Sequence, residues 1–451
     1  MRSTGRVSPW RVSSTFPLPA ETHRLRVLYL AAHGGFAGQA VPLGGGAAVC
    51  DRLLAEWARA NPFEFQLIGP AILGARAPGS RDLVRSSERE YARFCFAFSE
   101  AATEEVLRHD PARTAVLVND VSEGPDFARL AAAGFRIVTI YHVDVVAYVA
   151  AIYGRGLVAP STLVRWHERV RRSPLIPRMA KLVFDQQANS LRYSQAAVVP
   201  SESMRELMLT CYPDVPAERI HVVGWGNAGE PPREDLLRQE TARLRTEYGV
   251  PEDALVLLTL SRISPEKGQD LLIDALREWE RRGDLPERPL WLFLCGEAAY
   301  MQGIRFERRL RKLAAKLRRI RVVFPGYVMG LRKSAFLALG SVYVFPSRHE
   351  SYGLTLLEAL GAGLPSVCLD HHGARAVMRE EFGELVPMGS RRETLERLRA
   401  AIARLLRDEE GRKQMSEAAR RWAAGQRFSD SAASVARLLT GEQRGVTAPV
   451  P

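Results

Sequence analysis

The chain reads as an α/β protein of two doubly wound domains, and three observations predict this. Short apolar runs alternate with helical stretches along most of the length. The 451 residues exceed what one ordinary core organises, whereas two units of about 200 residues each fit. Two of the apolar runs end in short loops that open directly into helices, Ser261 to Gly268 (S-R-I-S-P-E-K-G) and Glu350 to Glu358 (E-S-Y-G-L-T-L-L-E), an arrangement that suits an anion.

Taken in order, residues 1–22 carry scattered Arg, Pro and Ser and are expected to form a tail. A first domain over 23–226 opens on the strand Leu25 to Leu30. A glycine-rich loop holding His33-Gly34-Gly35 and Gly44-Gly45-Gly46 follows, then a helix from about Ala47 to Ala60. Further strands are expected at Phe65 to Ile68, Ala115 to Val118, Arg136 to Ile140 and Ala196 to Val199. Asn119-Asp120 end one of them, and His142 and Asp144 stand just past another; Asn119, Asp120 and Asp144 are left without a role.

Residues 227–252, rich in Gly, Pro and charge, read as a linker to a second domain over 253–426. Its strands are expected at Leu255 to Leu260, Leu290 to Leu294, Val322 to Phe324, Val342 to Phe345 and Ser366 to Leu369. Helices are expected from Gln269 to Arg282, from about Gly353 until Gly361 to Pro365, and from about Thr394 to Ala424. A last helix, Ser429 to Leu439, lies in the terminal segment 427–451. His371-His372 lack further ligands in sequence and read as loop residues.

In a parallel sheet every loop leaving the carboxyl end of a strand lies along one edge, so the two short loops can face one ligand. Arg262 and Lys267 bring permanent positive charge to the first. Ser351-Tyr352-Gly353-Leu354 present backbone N–H groups at a helix start in the second. A diphosphate fits such a pocket. Glu350 and Glu358 would repel phosphate, so they are suited to neutral hydroxyls or to a developing cation, with one able to reach a sugar and the other a ribose.

The R-x-x-x-x-K-G and E-x(7)-E pair, with P-S-R-H-E-S-Y-G-L-T-L-L-E-A-L-G-A-G-L-P between Pro346 and Pro365, closely resembles the retaining glycosyltransferases of family 4. The resemblance is strong from Leu255 to about Val386 and weaker elsewhere. It implies the GT-B fold: two Rossmann-like domains facing each other across a cleft, with the last helix returning to the first domain. It also implies a donor diphosphate on Arg262 and Lys267, a donor sugar on Glu350, and a ribose on Glu358. Backbone contacts to the base would come from Gly326-Tyr327-Val328. Gly44, Gly45 and Gly46 match a loop that closes on donor phosphate and acceptor, and His142 matches a histidine that contacts the donor sugar. Two departures stand out: Gly224-Trp225-Gly226-Asn227 replaces a common Asn-Gly-Val-Asp turn, and His371-His372-Gly373 replaces a common Gly-Gly pair.

The function implied is metal-independent transfer of a hexose from a UDP-, GDP- or ADP-sugar to an acceptor hydroxyl, with retention. No D-x-D motif for a divalent metal occurs, and no cofactor is expected. The acceptor stays open among lipid, saccharide and natural product. An α-glucan or disaccharide synthase, a sugar-nucleotide epimerase and a non-catalytic sugar-nucleotide sensor are the alternatives.

Composition narrows the setting. Five widely spaced cysteines suggest neither a disulfide framework nor zinc. No run reaches the roughly 18 apolar residues of a membrane span, and no signal peptide is recognisable, so a cytoplasmic protein is expected. The net charge of +12 gathers in 165–192 and 305–321, faces that suit an anionic membrane surface on its inner side. No aromatics interleave Arg308 to Arg321, which argues against single-stranded nucleic acid.

Overall fold

A computed structural model describes residues 24–36, 44–152, 158–171, 173, 176, 178–227, 231–298 and 300–442. The expected tail, part of the glycine-rich loop (37–43) and 443–451 lie outside the described residues.

Two parallel six-stranded sheets organise the chain. The first holds β1 (Arg26–Leu30), β2 (Glu64–Ile68), β3 (Thr114–Val118), β4 (Arg136–Ile140), β5 (Ala196–Val199) and β6 (Ile220–Val222), in spatial order β2-β1-β3-β4-β5-β6. The second holds β7 (Leu255–Leu260), β8 (Leu290–Cys295), β9 (Ile320–Gly326), β10 (Val342–Phe345), β11 (Ser366–Leu369) and β12 (Gly383–Val386), in order β12-β11-β10-β7-β8-β9. All six residues of β7 and of β8 are buried, as continuous apolar strands with helices on both faces must be. Each sheet reverses its winding once, between β1 and β3 and between β7 and β10, and ligand crevices open at such points.

β6 and β12 were not expected from the sequence. Both are short edge strands of mixed polarity, I-H-V and G-E-L-V, with no apolar run to signal them. The single helix expected from Thr394 to Ala424 is two, Arg391–Arg407 and Glu409–Ala424. Asp408 breaks it by leaving helical geometry and turning its Oδ1 to accept from the Gly411 N–H at 2.8 Å. The segment 227–252, read as a linker, contains the helix Glu234–Tyr248, whose Leu244, followed by Val250, is buried in the core of the second domain.

The chain returns at its end. The helix Phe428–Thr440 buries Phe428, Ala432, Val435 and Leu439 in the core of the first domain, where the Trp57 indole N–H donates to the Ala432 carbonyl at 3.1 Å. At the two crossings between domains the backbones touch. Asn227 N donates to Gln426 O at 2.7 Å and Phe428 N to Asn227 O at 2.9 Å. A Cβ at Gly226 would lie 2.2 Å from the Arg427 carbonyl carbon, so only glycine fits. Here the departure from the common Asn-Gly-Val-Asp turn has a structural reason. Trp225, 2 % exposed, stacks on Phe428 with ring centroids 5.9 Å apart.

All five cysteines are buried and unpaired. No helix among the described residues is long and apolar enough to cross a membrane. The helix Tyr300–Ala314 turns Phe306 and Leu310 inward and leaves Arg305, Arg308, Arg309, Arg311 and Lys312 exposed.

Candidate active site

The winding reversal of the second sheet sets β7 and β10 side by side, and the loops leaving them are fastened together. Gly268 ends the first loop with φ +66°, and a Cβ there would lie 1.9 Å from the Pro346 carbonyl oxygen of the second. Arg348 adds a clasp: its Nη2 donates to both oxygens of Asp270 at 2.9 and 3.0 Å, and its backbone N–H donates to Glu266 O at 2.8 Å.

Inside this clasp Lys267, 8 % exposed, donates from Nζ to Glu350 Oε1, which also accepts from the Ser347 hydroxyl at 3.3 Å. Burial pushes the Glu350 carboxyl up, but the Lys267 ammonium and its hydrogen bond outweigh burial and hold it below the usual carboxylate range. Glu350 is therefore ionised near neutrality. Arg262 lies on the same loop, its Nη2 3.8 Å from Glu266 Oε1. The helix Leu354–Gly361 starts at Gly353 with no side-chain cap. Its first amides thus remain for an anion on the side where Lys267 stands.

Glu358, on that helix, meets two cations: Oε1 accepts from Arg52 Nη2 at 2.5 Å and from Lys333 Nζ at 2.9 Å. Tyr327 stands close by, its hydroxyl pushed up by burial and then by the charges of Glu358 and Asp51. Gly326 ends β9, its carbonyl accepting from Gly296 N at 2.8 Å, and Val328 is buried. The residues expected at the ribose and base are thereby gathered.

The first domain contributes a second group. The helix expected from about Ala47 begins at Gly45, so Gly45 and Gly46 form its first turn rather than a loop, after Gly44 at φ +107°. Gly46 lies against the His142 ring, 2.9 Å from a Cβ position, and Gly45 faces Leu354 of the second domain. His142 Nε2 is 3.0 Å from Asn119 Oδ1, which also accepts from the Tyr29 hydroxyl at 2.6 Å. With that oxygen accepting, Nε2 carries the proton. Burial, against the pull of Asp120, lowers the His142 pKa to about 4, so the ring is neutral. Asp120 in turn pairs with His33 Nδ1 at 3.1 Å; burial would raise its carboxyl, but His33 holds it at about 2. Asp144 caps the helix Val145–Ile152 instead, its Oδ1 accepting from Ala147 N at 2.8 Å and from Gln187 at 3.1 Å.

The two groups meet across the domains. The Tyr352 hydroxyl donates to the Trp225 carbonyl at 2.9 Å, and the Trp225 ring lies 6.1 Å from His142. The Ser201 hydroxyl donates to Ser351 O at 3.4 Å. His371, expected in a loop, is buried at the N-cap of the helix His372–Val377, its Nδ1 accepting from Ala374 N at 3.2 Å. Arg52, Lys333, Arg348 and Trp225 were missed from sequence. Each acts through a partner distant in the chain, and Arg52 reads there as one polar position of an amphipathic helix. Among the described residues no cluster of three His, Cys, Asp or Glu is placed to hold a metal.

Residues 240–422 match the family model "Glycosyl transferases group 1". The second domain belongs to that family. Relatives of the group 1 domain include the alpha-D-kanosaminyltransferase of Streptomyces kanamyceticus, 28 % identical over 204 residues that cover 45 % of this chain and 49 % of the relative. The GDP-mannose-dependent alpha-(1-6)-phosphatidylinositol monomannoside mannosyltransferase of Mycobacterium tuberculosis is 32 % identical over 210 residues, 45 % of this chain and 51 % of the relative. The D-inositol 3-phosphate glycosyltransferase of Jonesia denitrificans is 30 % identical over 230 residues, 49 % of this chain and 52 % of the relative. The chain spans about half the length of the curated relatives it matches. Over the whole fold it is similar to sucrose-phosphate synthase from Thermosynechococcus elongatus (TM-score 0.65, 19 % identity, 92 % of this chain and 98 % of that one). It is also similar to Anabaena HepE in complex with UDP and glucose (TM-score 0.60, 16 % identity, 92 % and 100 %). The group 1 domain is thus one half of a GT-B fold.

Proposed function

We propose that the chain transfers a sugar from a nucleoside diphosphate donor to an acceptor hydroxyl, with retention of anomeric configuration and without a metal. The observation that carries this reading is the part-buried Lys267–Glu350 pair at the winding reversal of the group 1 domain, with uncapped helix amides beside it.

In this reading Arg262, Lys267 and the amides from Ser351 to Leu354 hold the diphosphate and stabilise its charge as it leaves, the neutralisation a metal would otherwise supply. Glu350 and His142 orient the sugar. Ionised Glu350 offsets positive charge developing at the anomeric carbon, and neutral His142, its Nε2 proton given to Asn119, offers Nδ1 to accept from a sugar hydroxyl without adding charge. The bond from the anomeric carbon to phosphate oxygen breaks and the bond to the acceptor oxygen forms on the same face. The acceptor proton passes to the departing phosphate. Because each domain supplies part of the site, domain closure gates the step. The names of the relatives, acting on phosphatidylinositol monomannoside and inositol 3-phosphate, support testing inositol-bearing acceptors first. An anionic membrane is the peripheral partner proposed for the exposed basic face of Tyr300–Ala314, tested by flotation with anionic vesicles at low salt.

The deciding experiment incubates the protein with UDP-, GDP- and ADP-sugars in a chelator, with and without acceptors. It follows nucleoside diphosphate release and the anomeric configuration of the product. Acceptor-dependent release with a retained anomer is expected. Interconversion of the donor without acceptor indicates an epimerase, and tight binding without turnover across all acceptors indicates a sensor; either overturns the proposal.

A further inference from the structure

Glu358 is held at one oxygen only. Oε1 accepts from both Arg52 and Lys333, while Oε2 is buried and has no hydrogen-bond partner among the described residues. The same holds for Arg52 Nη1. An arginine and a carboxylate ordinarily close as a fork with two parallel N–H···O bonds. Here one donor and one acceptor are left unmade on neighbouring groups. They belong to different domains, Arg52 to the helix Gly45–Ala60 and Glu358 to the helix Leu354–Gly361. Their chain separation is 306 residues, so nothing local forces the contact.

Buried polar atoms without partners are uncommon, and a donor and an acceptor together specify what satisfies both. A hydroxyl accepts from Nη1 and donates to Oε2 at once. A vicinal diol does so with a second hydroxyl left for Lys333. An accessible ring that could meet a base is near: Tyr327, 38 % exposed, stands beside Glu358.

We propose that Arg52 is a second ligand of the donor's ribose, reaching it from the first domain. The proposal rests on the reading of Glu358 as the ribose carboxylate. Arg52 and Glu358 hold each other imperfectly, by one bond of the possible two. When the domains part to admit a donor and close again, the ribose diol takes up the two bonds left unmade. Nucleoside binding and domain closure then become one event, and a nucleotide lacking a hydroxyl loses both ribose contact and closure.

The test is calorimetric titration of the full chain with whichever of UDP, GDP or ADP binds most tightly, and with its 2′-deoxy and 3′-deoxy forms. Wild type is compared with Arg52→Gln, Arg52→Lys and Lys267→Met. In wild type, removing the contacted hydroxyl weakens binding by about tenfold or more, the effect of losing a hydrogen bond to a charged group. In Arg52→Gln that penalty shrinks by about threefold or more, because one of the hydroxyl's two bonds is already gone while the one to Glu358 remains. Arg52→Lys keeps a charge for Glu358 without the forked donor and loses the same share of the discrimination, which separates a ribose ligand from an interdomain strap. It also supplies the answer should Arg52→Gln fail to melt cooperatively. An equal deoxy penalty in wild type and both Arg52 variants overturns the proposal and leaves Arg52 as a strap. Diphosphate binding that is absent, or unaffected by Lys267→Met, overturns instead the donor reading on which it rests.

Discussion

Replacing Lys267 with methionine keeps the length of a side chain that is 10 % exposed and removes only its charge. Two effects follow, and the structure separates them. Loss of one charge-assisted contact to the diphosphate costs about 1.5–3 kcal/mol, so nucleoside diphosphate should bind about 10- to 150-fold more weakly. Glu350, its side chain 22 % exposed, is left without its cation, a loss of the order of 3–5 kcal/mol in fully buried pairs. The second cost depends on pH with a definite sign. In wild type the folded-state pKa of Glu350 is depressed, so its contribution is present above the unfolded carboxylate value and fades as pH falls. In the variant burial meets much weaker opposition, from His371, Arg262 and the Ser347 hydroxyl, and the folded form has more to gain by taking a proton. The stability gap between the two proteins should therefore be wide at neutral pH and narrow towards pH 4. Denaturant melts at several pH values and calorimetric titration with UDP, GDP and ADP measure both. A variant that binds diphosphate within about threefold of wild type, while the melts show it folded, refutes the assignment of Lys267 to phosphate.

Gly268→Ala should destabilise by about 3 kcal/mol or more in denaturant melts, because φ +66° and a carbonyl oxygen 1.9 Å from the new Cβ both oppose it. A near-neutral result means that the two loops can separate freely. His142→Ala should leave diphosphate affinity within about twofold and reduce turnover by about 100-fold, and the reverse pattern places His142 at the nucleotide instead. His142 and His371 are both held neutral by burial, each with a pKa near 4. The unfolded chain binds their protons from about pH 6.5, so stability should fall between about pH 6.5 and 4 and flatten below. Replacing either histidine with glutamine should shallow that slope, and an unchanged slope removes them as its cause.

Most of the strands and the loops leaving β7 and β10 could be read because apolar runs covered on both faces leave a continuous signature. Charged residues at a fixed spacing after those runs also mark a candidate phosphate edge without any tertiary information. What could not be read has a common origin in distance. The helix Glu234–Tyr248 passed for a linker because its sequence is mostly charged. Its membership of the second core depends on single residues such as Leu244 meeting β7 and β8. Arg52 finds Glu358 across the domain boundary, and Arg348 finds Asp270 across two loops. Neither pairing leaves a local pattern. Gly226 and Trp225 looked like a departure in a turn, and only the return of the last helix explains them.

That return has a consequence for biosynthesis. The first domain leaves the ribosome first, yet the surface around Trp57, Val198 and Trp225 is covered by Phe428, Val435 and Leu439, near the end of the described chain. The first domain must wait, partly unsealed, while the roughly 200 residues up to Phe428 are translated, and then be closed by the helix Phe428–Thr440. A release of synthesis before residue 428 would leave an apolar groove on a folded-looking domain, an open invitation to chaperones and to aggregation. Fragments ending near residue 226 should accordingly be poor mimics of the first domain, and stop mutations just before residue 428 should be far more damaging than their distance from the candidate site suggests.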